Sequence, residues 1–272
     1  MTLYGGARSR RVTTRDLQAA KAAGDRWPMI TSYDALTAGL FESSGFPVLL
    51  VGDSAGMVVL GHENTLPITV DDMLPMVAAV VRGTSTAMVV ADLPFGSDSS
   101  IDTAVATAVR FVKEAGAHAV KIEGGVEASD RVRAIVSAGI PVVGHIGLRP
   151  QHVHAMGGYR VQGRDEQGDA VLADALALVD AGACAIVLEV IPHELATRIT
   201  AAVPVPTIGI GAGPGTDAQV IVWQDLMGLT AGTPAKFVSR YADLRGIMTS
   251  AAQAWAHDVV SGTYPDLDHS YS

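Results

Sequence analysis

The sequence predicts an α/β fold, a closed (β/α)8 TIM barrel with an extra N-terminal helix. The first observation is a series of short runs that are rich in β-branched residues and apolar on both faces, as in strands buried inside a parallel sheet. The second is that Ala-rich, helix-like stretches such as residues 103–115 and 169–181 separate these runs. Eight such units in 272 residues favour a closed barrel, with an open doubly wound sheet as the alternative. We expect a single barrel domain over residues 1–272.

Eight runs are the predicted strands, and the eighth is the weakest. They cover residues 28–33, 47–53, 87–92, 117–123, 140–145, 183–189, 206–211 and 226–230. Before the first strand, Thr13 and Asp16 form a capping-box pattern that predicts a helix through Ala23, in a position to plug the bottom of the barrel. Another helix is predicted at residues 251–260. Four glycines stand just before a predicted strand, where a helix C-cap requires a positive φ: Gly45, Gly116, Gly139 and Gly182.

Composition and charge narrow the classes of function. The net charge of −9 argues against a nucleic-acid partner, because phosphate binding needs clustered Lys and Arg. Cys184 is the only cysteine in the sequence, so no disulfide can form within the chain, and we expect it to be a small buried residue. No apolar run in the sequence is long enough to span a bilayer. We therefore expect no membrane partner and a cytoplasmic location.

Polar side chains end five of the predicted strands. In a barrel of this kind the carboxyl ends of the strands converge on one mouth, where active sites are found. A charge at the end of a buried strand is costly unless it is paired, hydrogen-bonded or bound to a metal. One such acid alone is better explained as a helix cap or a loop bridge, but five polar strand ends at one mouth are better explained as a site. The five residues are Asp53, Asp92, Glu123, His145 and Glu189.

The acids at the mouth predict a metal ion. Three carboxylates gathered there would repel one another without a cation, and oxygen ligands favour Mg²⁺ first and Mn²⁺ second. Lys121 precedes Glu123 by two residues, so the strand period puts both side chains on the same face, with Lys121 one layer deeper. An inward lysine needs counter-charge from the acids or from an anionic substrate. A purely structural ion pair with a neighbouring acid explains Lys121 equally well.

Other polar or glycine-rich positions are less specific. A single histidine at a strand end, such as His145, is more often structural than functional. His152 and His154 fall in predicted loops and are expected to face solvent. The glycine run at 209–213 is not a dinucleotide fingerprint, because Pro214 occupies the position of the third glycine. A tight turn or a close approach to a ligand is the better interpretation of that run.

Several longer motifs occur along the chain. They are GDSAGM at 52–57, GHENTLP at 61–67, ADLPF at 91–95, VKIEGG at 120–125, GHIGLRPQ at 144–151, GGYRVQGR at 157–164, LE at 188–189 and IGIGAG at 208–213. Together they resemble the motifs of the ketopantoate hydroxymethyltransferase family. The resemblance follows the order of the family from about residue 11 to the C-terminal tail. Motifs of this length make the resemblance specific.

The resemblance implies an enzyme of pantothenate biosynthesis. Its reaction would transfer a one-carbon unit from the co-substrate 5,10-methylenetetrahydrofolate to 3-methyl-2-oxobutanoate, giving 2-dehydropantoate. The partners would be small-molecule substrates and further copies of the chain in a homo-decamer. Segments 61–67 and 157–164 are candidate walls or lids for the folate.

The resemblance also implies roles for the residues at the mouth. Glu189 would be the general base. Mg²⁺ would be held by Asp53, Asp92 and Glu123, and the keto acid by Asp53, Ser54, Asp92 and Lys121. We include His145 among the substrate-binding residues because it ends a strand at the same mouth.

Two other functions stay open at this point. The phosphoenolpyruvate mutase and isocitrate lyase group also uses barrels, Mg²⁺ and pyruvate-like enolates. A member of that group is expected to have a mobile loop that carries a reactive cysteine or phosphate-binding arginines. Cys184 lies instead inside a predicted strand. A non-catalytic barrel that binds a metabolite is disfavoured, because such a protein does not need an uncovered base. Turnover of the keto acid with methylenetetrahydrofolate separates the three functions.

Overall fold

A computed structural model describes residues 2–5 and 8–272 of the chain. Two compact units are present, the first running to Val222 and the second covering Trp223–Ser272. All eight strands belong to the first unit. The prediction of one domain over residues 1–272 stays a prediction. No helix in the described part of the chain is both long and apolar enough to cross a membrane.

Eight parallel strands close into a barrel in the order of the sequence, with β1 paired to both β2 and β8. This confirms the predicted fold class. The strands are β1 Trp27–Thr31, β2 Val48–Val51, β3 Met88–Asp92, β4 Ala119–Glu123, β5 Val142–Gly147, β6 Ala185–Glu189, β7 Thr207–Ile210 and β8 Ala218–Ile221.

The first seven predicted strands overlap strands of the structure, but the eighth prediction is wrong. Residues 226–230 begin at the last residue of a short helix and continue into the turn after it. The true β8 follows β7 after seven residues without an intervening helix, so it does not follow the strand–helix repeat that predicted the other strands. Gln219 of β8 is exposed, and the strand therefore lacks the two apolar faces by which the others were recognised.

Each of the two units contains helices. Those of the first unit are α1 Thr14–Ala23, α2 Ala35–Ser43, α3 Ala55–Val58, α4 Val70–Arg82, α5 Ile101–Lys113, α6 Ser129–Ser137, α7 Gln167–Asp180 and α8 His193–Ala202. The second unit contains α9 Trp223–Leu226 and α10 Leu244–Ser261, which includes the predicted helix at 251–260. Single 3₁₀ turns cover Val126–Ala128, Pro150–His152 and Leu267–His269. The four glycines that precede strands all have positive φ, between 79° and 98°, as predicted.

Alternate strand residues fill the inside of the barrel. Because side chains alternate between the two faces of a strand, each strand contributes every second residue to the interior. Leu17 and Ala20 of α1 pack into the same cluster, so the N-terminal helix closes the bottom of the barrel as predicted. The capping box of Thr13 and Asp16 starts this helix. The interior strand residues include Trp27, Met29, Val48, Leu50, Met88, Val90, Ala119, Val143, Ala185, Val187, Ile208, Ala218 and Val220.

A histidine stands between β3 and β4. The His118 amide donates to the Val89 carbonyl oxygen, and the Val89 amide donates back to His118 Nδ1 at 3.0 Å. Burial and the nearby guanidinium of Arg11 lower the pKa of His118 to about 4. A protonated ring would turn the Nδ1 acceptor into a donor facing another donor, so the fold favours the neutral ring.

We expect the folded protein to lose stability as the pH falls from about 6.5 towards 4, because the pKa of His118 is lower in the folded state than in the unfolded one. The loss from this group should be on the order of 1–2 kcal/mol after allowing for solvent screening of a partly exposed ring. His118→Asn keeps an acceptor near the Nδ1 position and cannot be protonated there. Its free energy of urea unfolding should fall less between pH 7 and pH 4.5.

The exposed His257 of α10 supplies the matched control, since His257→Asn should keep the pH dependence of the wild type. Equal slopes for the wild type and His118→Asn would contradict the role given to the Val89–His118 pair.

Candidate active site

The five polar strand ends meet at the carboxyl end of the barrel. Asp92 pairs in register with Lys121, and Glu123 with His145, so neighbouring strands present these residues at matching levels. Glu189 ends β6 and keeps 16% of its side chain exposed. The fully buried members of the group are Asp53, Asp92, Lys121, Glu123 and His145.

Lys121 provides the buried ammonium group of the mouth. Its Nζ lies 2.8 Å from Asp92 Oδ1 and 3.1 Å from His145 Nδ1. Burial lowers the pKa of Lys121, but the charges of Asp92, Glu123 and Asp53 outweigh it and raise that pKa above its usual value. The ion pair with a neighbouring acid that the sequence left open is therefore present, and it holds the charged lysine at the mouth.

The acids carry more negative charge than Lys121 balances. Burial first, and then the carboxylates of Asp92 and Glu123, raise the pKa of Asp53 well above its usual value. Burial also raises the pKa of Asp92, although Lys121 opposes the shift. Burial is thus the main cause of both shifts, and the neighbouring carboxylates add to it; an additional cation would favour the charged form of both acids.

His145 connects the lysine to the least buried acid. Its Nε2 lies 3.1 Å from Glu189 Oε2, and its Nδ1 lies 3.4 Å from Glu123 Oε1. Burial and the Lys121 ammonium lower the pKa of His145, but Glu123 and Glu189 outweigh them and raise it to about 9. His145 thus lies in contact with residues of both neighbouring strands. The same contacts that give it a structural role also place it among the residues of the candidate site.

Gln151 is a member of the site that the pattern of polar strand ends did not predict. Its Nε2 donates to Asp53 Oδ2 and to the Leu93 carbonyl oxygen, each at 2.9 Å, and its backbone amide donates to Glu123 Oε2 at 3.1 Å. It lies on the 3₁₀ turn Pro150–His152, beyond the end of β5. Gln151 is the last residue of the GHIGLRPQ motif, which could have indicated a role in the site, but it does not end a strand.

Ser54 is positioned by a second residue that the sequence did not single out. Its Oγ lies 2.9 Å from the hydroxyl of the buried Tyr33, which follows β1. Ser54 comes directly after Asp53 and precedes α3. The Asp53-Ser54 pair is therefore held from two sides, by Gln151 and by Tyr33.

The segment after β5 also brings two rings towards the site. His152 was expected to face solvent and does keep 39% of its side chain exposed, but its Nδ1 is buried and lies 3.8 Å from Glu123 Oε2. Tyr159 is about half exposed, and burial together with the charges of Asp53, Glu189 and Glu123 raises the pKa of its hydroxyl. The segment 157–164, a candidate wall or lid, thus has at least one aromatic side chain within electrostatic range of the acids.

The acids are held by protein donors. Among residues 2–5 and 8–272, no group of three or more His, Cys, Asp or Glu side chains is arranged to hold a metal ion. Asp92 is instead paired with Lys121, and Asp53 accepts from Gln151. The buried Glu123 Oε1 accepts no hydrogen bond from these described residues. The donor set is nevertheless one that suits a hard cation, because its atoms are carboxylate oxygens with a surplus of negative charge.

We expect Gln151→Met to lower the free energy of unfolding by about 1–3 kcal/mol, because it leaves two buried acceptors, Asp53 Oδ2 and the Leu93 carbonyl, without their donor. Urea denaturation measures the change. Gln167→Met, at the exposed first residue of α7, is the matched control and should stay within about 0.5 kcal/mol of the wild type. Equal effects of the two substitutions would show that the Gln151 hydrogen bonds do not stabilise the fold.

Solved structures with a similar fold include members of the group that the sequence left as an alternative. Phosphonopyruvate hydrolase in complex with oxalate and Mg²⁺ superposes with a TM-score of 0.61 at 15% identity, covering 95% of this chain and 93% of that chain. A 2,3-dimethylmalate lyase, a member of the phosphoenolpyruvate mutase/isocitrate lyase superfamily, gives 0.60 at 19% identity, covering 96% and 92%. At such identities the likeness concerns the fold alone.

Sequence similarity is far closer to another set of proteins. The chain is 59% identical over 262 residues to the 3-methyl-2-oxobutanoate hydroxymethyltransferase of Frankia casuarinae, covering 96% of this chain and 88% of that protein. It is 57% identical over 272 residues to the enzyme of the same name from Thermobifida fusca, covering 99% and 97%. The model of the ketopantoate hydroxymethyltransferase family matches residues 11–267. The chain therefore belongs to the ketopantoate hydroxymethyltransferase family.

Proposed function

We propose that the protein is a Mg²⁺-dependent 3-methyl-2-oxobutanoate hydroxymethyltransferase that uses 5,10-methylenetetrahydrofolate and forms 2-dehydropantoate. One feature of the structure supports this function independently of family membership. Three buried carboxylates and one buried lysine meet at the mouth of the barrel, with a less buried carboxylate, Glu189, beside them. Such a mouth can bind an α-keto acid through its polar end and offer a base to its carbon chain.

Asp53, Asp92 and Glu123 are the proposed metal-binding residues. Their oxygens suit Mg²⁺, and the three buried carboxylates stand beside a single buried lysine. Bound there, Mg²⁺ would supply a Lewis acid that polarises the keto group. It would compete with Lys121 for Asp92 and with Gln151 for Asp53.

The remaining residues have roles in binding and proton transfer. Lys121 and Ser54 hold the carboxylate of the keto acid, Lys121 by charge and Ser54 by its hydroxyl. Glu189 accepts the proton from C3 of the keto acid, since its carboxylate is the least buried of the acids and reaches the mouth. His145 orients Glu189 through its Nε2. Its other ring nitrogen, Nδ1, lies near Lys121, which is proposed to hold the carboxylate of the substrate. The C3 carbon then forms a bond to the methylene carbon of the folate, the bonds from that carbon to the folate nitrogens break, and water supplies the hydroxyl oxygen of 2-dehydropantoate while tetrahydrofolate leaves with the proton.

The lyase and mutase alternative lacks its expected nucleophile. Cys184 stands just before β6, and burial raises the pKa of its thiol to about 12, so it stays protonated near neutral pH. A homo-decamer, which rests on the family resemblance, and a cytoplasmic location, which rests on the sequence analysis, are part of the proposal.

We expect EDTA to abolish turnover and Mg²⁺ to restore it. Asp53→Asn and Asp92→Asn should each weaken Mg²⁺ binding roughly tenfold or more, because each removes an anionic ligand, and isothermal titration calorimetry measures the change. Asp53→Asn should not destabilise the fold, since burial already opposes the charged form of Asp53. Asp102→Asn, exposed on α5, is the control. Unchanged Mg²⁺ affinity in both site variants would remove the metal assignment.

The general base has its own test. Exchange of the C3 proton of the keto acid with deuterated solvent, followed by NMR, does not depend on the folate. Glu189→Gln should slow this exchange by roughly a hundredfold or more, while Mg²⁺ and keto-acid binding persist. Glu194→Gln, exposed on α8, should exchange at the wild-type rate. If Glu189→Gln also exchanges at that rate, Glu189 is not the base.

A further inference from the structure

The mouth of the barrel has two unlike halves. The side chains from the ends of β2 to β5 are charged or polar. On β7 and β8 the inward residues nearest the mouth are apolar, namely Ile210 and Val220, while Val187 of β6 lies one layer below Glu189. Glu189, at the end of β6, stands on the border between the two halves.

Ile210 is the apolar residue that is open to the mouth. Two residues earlier on β7, Ile208 faces the barrel interior and is 1% exposed. Ile210 is the next inward residue, packs against the same interior cluster and is only partly buried. It pairs in register with Glu189, so the two side chains lie next to each other at the same level of the barrel.

We propose that Ile210 determines which alkyl group the site accepts on its α-keto acid. This inference rests on the proposed function. The carboxylate and keto oxygens of the substrate belong with Lys121, Ser54 and the acids, and the proton on C3 must face Glu189. The alkyl substituents of C3 then lie towards the half of the mouth that begins at Ile210.

The physical basis is the fit of apolar volumes. Alkyl groups gain free energy when they are buried against an apolar wall, and a wall that is too close excludes a longer chain. A difference of one methylene group in a hydrophobic pocket changes specificity by roughly 10- to 200-fold. An isoleucine beside the base is therefore sufficient to separate 3-methyl-2-oxobutanoate from the α-keto acid that is one methylene longer.

The test uses deuterium exchange at C3, with three keto acids of increasing size: 2-oxobutanoate, 3-methyl-2-oxobutanoate and 3-methyl-2-oxopentanoate. Ile210→Val and Ile210→Ala should raise kcat/KM for the longest acid relative to 3-methyl-2-oxobutanoate, by roughly tenfold in the Ala variant. Ile210→Phe should shift the preference the other way, towards 2-oxobutanoate. Opposite shifts by smaller and larger side chains cannot result from a general loss of folded protein.

Ile208→Val and Ile208→Ala are matched controls, because they make the same chemical change on the same strand and face, one layer deeper. They should lower the midpoint of thermal unfolding and leave the ratios of kcat/KM unchanged. The inference is overturned if the ratios of the Ile210 variants stay within twofold of the wild type while the wild type exchanges 3-methyl-2-oxobutanoate. If the wild type exchanges none of the three acids, the proposed function itself fails, and the inference with it.

Discussion

The carboxyl end of the barrel depends on one buried ammonium group. Lys121 Nζ lies 2.8 Å from Asp92 and 3.1 Å from His145, and His145 in turn lies 3.1 Å from Glu189. One chain of contacts thus joins four consecutive strands, β3 to β6. A buried charge without a partner is costly, so neither the lysine nor the acids are stable there alone. The same surplus of negative charge that keeps Lys121 protonated is the property that a divalent cation would use.

Closure of the parallel sheet turns this cluster into a site. In a closed barrel every second residue of each strand faces the axis, so a run of polar residues on β2 to β5 becomes one wall and the apolar ends of β7 and β8 become the opposite wall. Glu189 belongs to neither wall. Its position beside Ile210 brings a carboxylate next to an apolar surface, which suits the proposed removal of a proton from a carbon that carries alkyl groups.

The segment that follows β5 completes the polar wall from outside the strands. Gln151 donates to Asp53 and Glu123, and His152 approaches Glu123 from the same turn. The two contacts of Gln151 join residues that are 28 and 98 positions apart in the chain. Pattern analysis identifies residues by their period within a strand or helix, and a 3₁₀ turn has no such period. For this reason the sequence pattern did not predict the contacts of Gln151, or the contact of the partly exposed His152 with Glu123.

The sequence by itself determined the fold class, seven of the eight strands, the closing helix α1 and the placement of Lys121 below Glu123. These features follow from local rules: apolar strands of period two, a capping box, and glycines where φ is positive. Tertiary structure alone decided the position of β8, the partners of each buried charge and the division of the mouth into two halves. The reason is physical, because strand order, register and the pairing of buried charges are settled by contacts between residues far apart in the chain, which no local pattern encodes.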